Sequence, residues 1–134
     1  MFDLVIRNGT VVDPAGGVSE RRDVGIRSGR IVSMATEIPA DAGRDALDAT
    51  GHLVTPGLID IHVHVFPRVS HYGVDPDVTC LARGATTVCD AGSAGADTFE
   101  GLRRYVIDVS ETRVLAFLNI SAIGMVSPLD NELE

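Results

Sequence analysis

The chain contains no lysine and no tryptophan: all 11 of its basic residues are arginines, set against 19 acids for a net charge of −8. Adjacent basic pairs occur only at Arg21-Arg22 and Arg103-Arg104. That scarcity excludes nucleic acid as a natural partner, because phosphate binding draws on clustered cations. Cysteine is equally sparse. Cys80 and Cys89 lack C-x-x-C spacing and sit among apolar neighbours, so reduced, packed thiols are expected rather than a disulfide framework or a zinc ribbon. The opening residues, Met1 to Asn8, alternate apolar and polar with an acid at Asp3. They have neither the basic start nor the long apolar run of a secretion signal or membrane anchor, and a cytoplasmic location follows as the expectation. What the 134 residues do contain, 45% hydrophobic against 22% charged, is the balance of a soluble globular protein.

From Phe2 to Val54 the pattern is short strands and turns. Phe2, Leu4 and Ile6 alternate with polar residues, Asn8-Gly9 predicts a hairpin turn, and Thr10 to Val12 resumes an extended run before Asp13-Pro14. Val24 and Ile26 lead to a second predicted turn at Ser28-Gly29, with Ile31, Val32 and Met34 returning. Ile38 to Arg44 reads as a connector and Ala46 to Val54 as one further extended piece. Residues 1–54 are therefore expected to form part of a small β-sandwich.

At Thr55-Pro56-Gly57 the style changes, and residues 55–134 alternate strands with short helices, as βα units around a parallel sheet do. A strand is expected over Leu58 to Phe66. A helix follows, capped by Asp75 with Pro76 at its first position, burying Val78, Leu81 and Ala82 and ending at Gly84. Ala85 to Ala91 is the second strand. Asp97-x-x-Glu100 has capping-box spacing ahead of a helix with Phe99, Leu102 and Val106 on its apolar face, and Arg113 to Ile120 is the third strand. The signal fades through Ser127-Pro128 into the acidic stretch Asp130 to Glu134.

The chemistry lies in the first of these strands. Side chains alternate across a strand, so Asp60, His62 and His64 are expected on one face and Ile59, Ile61, Val63 and Val65 on the other, packed against helices. Two imidazoles about 7 Å apart along one face, by strand rise, can converge on one metal ion. Asp60, one step deeper, suits support of those ligands or strand-end hydrogen bonding.

The context Val54-Thr55-Pro56-Gly57-Leu58-Ile59-Asp60-Ile61-His62-Val63-His64 after a β-rich segment resembles the first barrel strand of the amidohydrolase superfamily. Gly84-Ala85-Thr86-Thr87-Val88 is similar to the second strand of that superfamily. Tyr72 to Asp77, Asp90 to Asp97 and Leu115 to Ser121 are similar to its dihydroorotase-like amidohydrolase/deacetylase group. The resemblance implies an α/β chain: the N-terminal part of a small β-sandwich, then the first three strands and two helices of an incomplete (β/α)8 TIM-type barrel. It also implies one or two divalent metals, most naturally zinc, that polarise a carbonyl and activate water against an amide, cyclic amide or acetyl bond of a small molecule. His62 and His64 would be metal ligands, with Asp60 supporting them.

Members of that superfamily usually complete the centre with a carboxylated lysine, further histidines and an aspartate from later strands. This chain has no lysine, so the bridging group and the general base are expected from elsewhere, with the remainder of the barrel or self-association required. Alone, the chain is expected to be inactive, and the competing reading is a non-catalytic metal-binding or interaction module. His71, Asp90, Ser93, Asn119 and Ser121 follow strand ends and are the candidates for a substrate pocket, with loop capping or strand-end hydrogen bonding as the alternative for the last four. His52 lies ahead of the first barrel strand and reads as a sandwich or linker residue. Gly92 and Gly95 read as turn glycines.

Overall fold

The computed structural model describes residues 1–126, so Ser127-Pro128 and the acidic stretch lie outside the described residues. The chain divides into two compact units, Met1–Pro56 and Gly57–Glu134. No helix among the described residues is long and apolar enough to cross a membrane.

The first unit holds β1 (Phe2–Asp13), β2 (Val18–Arg27), β3 (Arg30–Ala35), β4 (Gly43–Asp48) and β5 (Leu53–Val54). They form one mixed sheet in the order β3-β2-β1-β4, with β5 also against β1. The meander β1-β2-β3 is antiparallel, whereas β4 and β5 return parallel to β1. Of the expected sandwich, one sheet is present among the described residues. Ser28 and Gly29, with φ of 52° and 69°, make the expected tight hairpin turn.

Asn8-Gly9 does not turn. β1 runs straight through it with a bulge between Ile6 and Gly9, and Asn8 takes a φ of 64°. Tertiary partners decide the difference: the Asn8 N–H donates to Asp23 at 2.9 Å and its side-chain amide to Asp48 at 2.9 Å, so the left-handed residue serves a bulge. The expected single piece from Ala46 to Val54 is likewise two strands, broken by a turn in which the His52 N–H donates to the Ala49 carbonyl.

Asp23 anchors this sheet. It is 2% exposed and accepts from the Asn8 and Ile38 N–H groups at 2.9 Å each, with Arg7 3.6 Å away. Burial alone would raise its pKa, but the two backbone donors, Arg7 and Arg21 outweigh that and hold the carboxyl below its ordinary value.

In the second unit β6 (Leu58–Val63), β7 (Ala85–Asp90) and β8 (Arg113–Ala116) form a parallel sheet in sequence order. β6 and β8 are shorter than the expected runs to Phe66 and Ile120. Helical turns at Pro76–Cys80 and Leu81–Arg83 join β6 to β7, and α1 (Phe99–Leu102), continuing as wider turns over Arg103–Ile107, joins β7 to β8. The core has two adjoining parts, Val65, Cys80, Val88 and Val114 in one and Phe66, Ala94, Leu102 and Val106 in the other.

The first helical segment starts and stops as expected. The Asp75 carboxylate accepts from the Asp77 and Val78 N–H groups at 2.9 and 3.0 Å, and Gly84 ends it at φ 89°. Its buried face is different. Pro76 and Cys80 point inward while Val78 is 72% exposed, and Ala82 is exposed too. Asp77 fixes that rotation, because its carboxylate accepts from the Thr112 hydroxyl at 2.6 Å and from the Glu111 and Thr112 N–H groups. In the second helix Leu102 and Val106 are buried and Phe99 packs beside them, as the spacing predicts. The cap position belongs to Thr98 instead of Asp97, without a side-chain capping bond. Asp97 is held through its backbone, donating to the Ala122 carbonyl at 2.8 Å.

Candidate metal centre

β6 carries an irregularity beside the site. Asp60 aligns with Val88 but Val63 with Asp90, so β6 carries one extra residue across that interval. Simple alternation therefore fails within the motif. Val63 and Val65 join the core, whereas Ile59 and Ile61, expected to pack beside them, are 69% and 74% exposed. Asp60 aligns with the core residue Val88, and its charge reaches the buried Cys80 thiol. Its carboxylate also accepts from the His62 N–H at 3.1 Å, so it braces the bulged backbone next to the imidazoles.

The two imidazoles nonetheless meet. The ring centres of His62 and His64 are 5.6 Å apart, nearly edge to face at 83°. At a Zn–N bond of about 2.0 Å, two imidazoles on one tetrahedral ion hold their ring centres about 5 Å apart. The pair thus has the chemistry and the spacing for two ligands of a shared ion. Among the described residues no group of three or more His, Cys, Asp or Glu side chains converges to complete it. His62 is exposed and His64 half-buried, and both line an open cavity of about 670 Å3 together with Asp60, Tyr72, Cys80 and Arg83.

His64 is oriented from two sides. Its Nδ1 lies 3.1 Å from the Ser93 hydroxyl, and the Tyr72 ring centre is 5.8 Å from its own. Tyr72 stacks in turn on His71 at 4.0 Å, and His71 Nδ1 lies 3.2 Å from the Met125 carbonyl. Neither Tyr72 nor Met125 stands out as a site residue in sequence, because contacts between loops leave no periodic trace.

The other pocket candidates gather around the loop after β7. Asp90, fully buried, accepts from the Val65, Gly92 and Ser93 N–H groups at 2.7, 3.0 and 2.6 Å, which ties the exit of β6 to that loop. Ser93 is also fully buried. Asn119 donates to the Gly92 carbonyl at 2.8 Å and accepts from the Ser121 N–H at 2.9 Å, and Ser121 is 2% exposed. Hydrogen bonding within the loops accounts for the polar groups of Asp90 and Asn119. His52 lies in the first unit, its Nδ1 3.0 Å from the Thr50 carbonyl. Cys80 and Cys89 are both free thiols, the former buried and the latter half-buried. Burial first, and then the Asp60 and Asp75 charges, raise the Cys80 pKa against the opposing pull of Arg83.

No family model matches the chain. A deacetylase of Agrobacterium fabrum is 38% identical over 99 residues, covering 74% of this chain and 24% of the relative. A dihydroorotase of Citrifermentans bemidjiense is 31% identical over 130 residues, 94% of this chain and 30% of the relative. The homologues are amidohydrolases. The crystal structure of a dihydroorotase superposes with a TM-score of 0.81 at 31% identity, over 92% of this chain and 32% of the other. An N-acyl-D-glutamate deacylase from Bordetella bronchiseptica, solved with zinc and a phosphonate inhibitor, gives 0.62 at 26% identity over 96% and 32%. This chain spans about a quarter to a third of the length of each of these proteins. Its α/β fold with mixed sheets is theirs over the matched part.

Proposed function

We propose that this chain carries part of the metal centre of a metal-dependent amidohydrolase that cleaves an amide, cyclic amide or acetyl bond of a small molecule. The observation that carries the reading is the His62–His64 pair, 5.6 Å between ring centres, at the end of the first strand of a parallel sheet. β6, β7 and β8 are then the first three strands of a (β/α)8 barrel, whose active sites lie at the C-terminal ends of the strands. A bound divalent ion, zinc by analogy with the deacylase, supplies polarisation of the scissile carbonyl and an acidified water. His62 and His64 hold that ion, Asp60 fixes the His62 backbone, and Ser93 and Tyr72 fix the His64 ring. His71 packs on Tyr72, which lines the same cavity, and we take it as a candidate for contact with a substrate's polar groups.

The test compares zinc content and hydrolysis of dihydroorotate and N-acetyl amino acids by the full-length protein, its His62→Ala and His64→Ala variants, and residues 1–134 alone. Each substitution removes one ligand of a centre that needs about three protein ligands, so both zinc and turnover should be lost. The isolated chain should be silent toward these substrates. Normal zinc with near wild-type turnover in either variant would refute the assignment, and zinc binding without turnover in the full-length protein would favour a non-catalytic module.

A further inference from the structure

The polar contacts around His64 close into a circuit. Ser93 meets His64 Nδ1 at 3.1 Å, and the Ser93 carbonyl accepts from the Met125 N–H at 3.0 Å. The Met125 carbonyl accepts from the His71 N–H at 3.2 Å, His71 stacks on Tyr72, and Tyr72 returns to His64. The loop that carries Met125 reaches Ser93 only because residue 124 is glycine: it has a φ of 74°, and a Cβ there would lie 2.5 Å from the Ser93 carbonyl oxygen. Ser93 is pinned independently by the 2.6 Å bond from its N–H to Asp90. Ser93 is thus a fully buried residue whose backbone is held at both its N–H and its carbonyl, with its hydroxyl against the half-buried imidazole.

We infer that Ser93 is a positioning residue for His64, accepting a hydrogen bond from Nδ1–H so that Nε2 is left bare toward the metal. The inference rests on the metal reading above, and its chemistry is general: the second nitrogen of a ligating imidazole is normally engaged, which fixes tautomer and ring orientation. The Met125 peptide extends the same control to the far side of the ring, because it holds both Ser93 and the His71–Tyr72 stack.

Long-range 15N–1H correlation of the histidine rings in the metal-free, full-length protein at alkaline pH reads the tautomer directly. Wild-type His64 should carry its proton on Nδ1. Ser93→Ala, checked for folding by its amide spectrum, should move His64 toward the Nε2–H form that free histidine prefers. The same variant should bind zinc, added alone, about 10-fold to 100-fold more weakly. An Nε2–H tautomer in the wild type, or an unchanged tautomer in Ser93→Ala, would overturn the inference. The wild-type spectrum decides the matter even where the variant fails to fold. If zinc binds at His62 and His64 but the tautomer is wrong, the Ser93 assignment alone fails. If the tautomer is right but zinc perturbs neither ring, the metal reading fails and takes the role of Ser93 with it.

Discussion

Removing the Asp90 carboxylate should destabilise the second unit more than any other single change around the loop after β7. Two of its three hydrogen bonds, from Gly92 and Ser93, go to Oδ1, and the third, from Val65, goes to Oδ2. Asp90→Asn can keep the Oδ1 pair but turns an amide against the Val65 N–H, losing one charge-assisted bond worth about 1.5–3 kcal/mol. Asp90→Ala strands three donors at about 1–3 kcal/mol each, roughly 3–9 kcal/mol in total, which rivals the whole stability of about 5–15 kcal/mol typical of a domain. Tyrosine fluorescence isolates the effect, because both tyrosines, Tyr72 and Tyr105, lie in the second unit. Urea unfolding should show the Asn variant's midpoint falling by about 1 M, given a slope of about 1–3 kcal/mol/M, and the Ala variant largely unfolded without denaturant. Should Asp90→Ala unfold within about 0.5 kcal/mol of wild type, the three bonds would not be holding β6 to the loop and the argument would be wrong.

Three further outcomes are expected. The Asp23 carboxyl has a folded pKa below its unfolded one, so its contribution is complete above an ordinary carboxylate pKa of about 3.9 and is lost as pH falls toward the lowered value; Asp23→Asn should flatten that acid limb in urea titrations followed by circular dichroism. Cys80, buried and with its pKa raised, should react with a thiol reagent at pH 8 at least about tenfold more slowly in the folded than in the unfolded Cys89→Ser protein, and equal rates would contradict its placement. Asp60→Asn should weaken zinc retention by about 10-fold to 100-fold, less than either histidine change, and a loss as complete as that of His62→Ala would make Asp60 a ligand itself.

Features set by neighbouring residues were legible in the sequence. The Asp75 cap, the Gly84 stop, the Ser28-Gly29 turn and the Leu102–Val106 face all depend on partners within a few positions. What escaped depends on contacts across the chain. The bulge at Asn8 is set by Asp23 and Asp48, the rotation of the first helix by Thr112, and the irregular register of β6 by its pairing with β7. The histidine pair was visible from its i, i+2 spacing, whereas the bulge between Asp60 and Val63 was not. The Ser93–Met125–His71 connections join three loops and are invisible to periodicity.

The way β1 is shared between partners also bears on how the first sheet assembles in time. Its antiparallel meander with β2 and β3 is local and can zip up from short turns, but its other edge is filled by β4 and β5, which pair in parallel with residues about forty positions earlier. During synthesis β1 must therefore wait with one edge bare until Val54 has left the ribosome, a delay of several seconds at about 5–20 residues per second. The ion pair of Arg7 with Asp23 and the Asn8 bond to Asp23 lie on the β2 side of β1, and the Asn8 bond to Asp48 crosses the late-filled edge. The free edge of β1 is thus the part of this sheet that stays unpaired longest as the chain emerges.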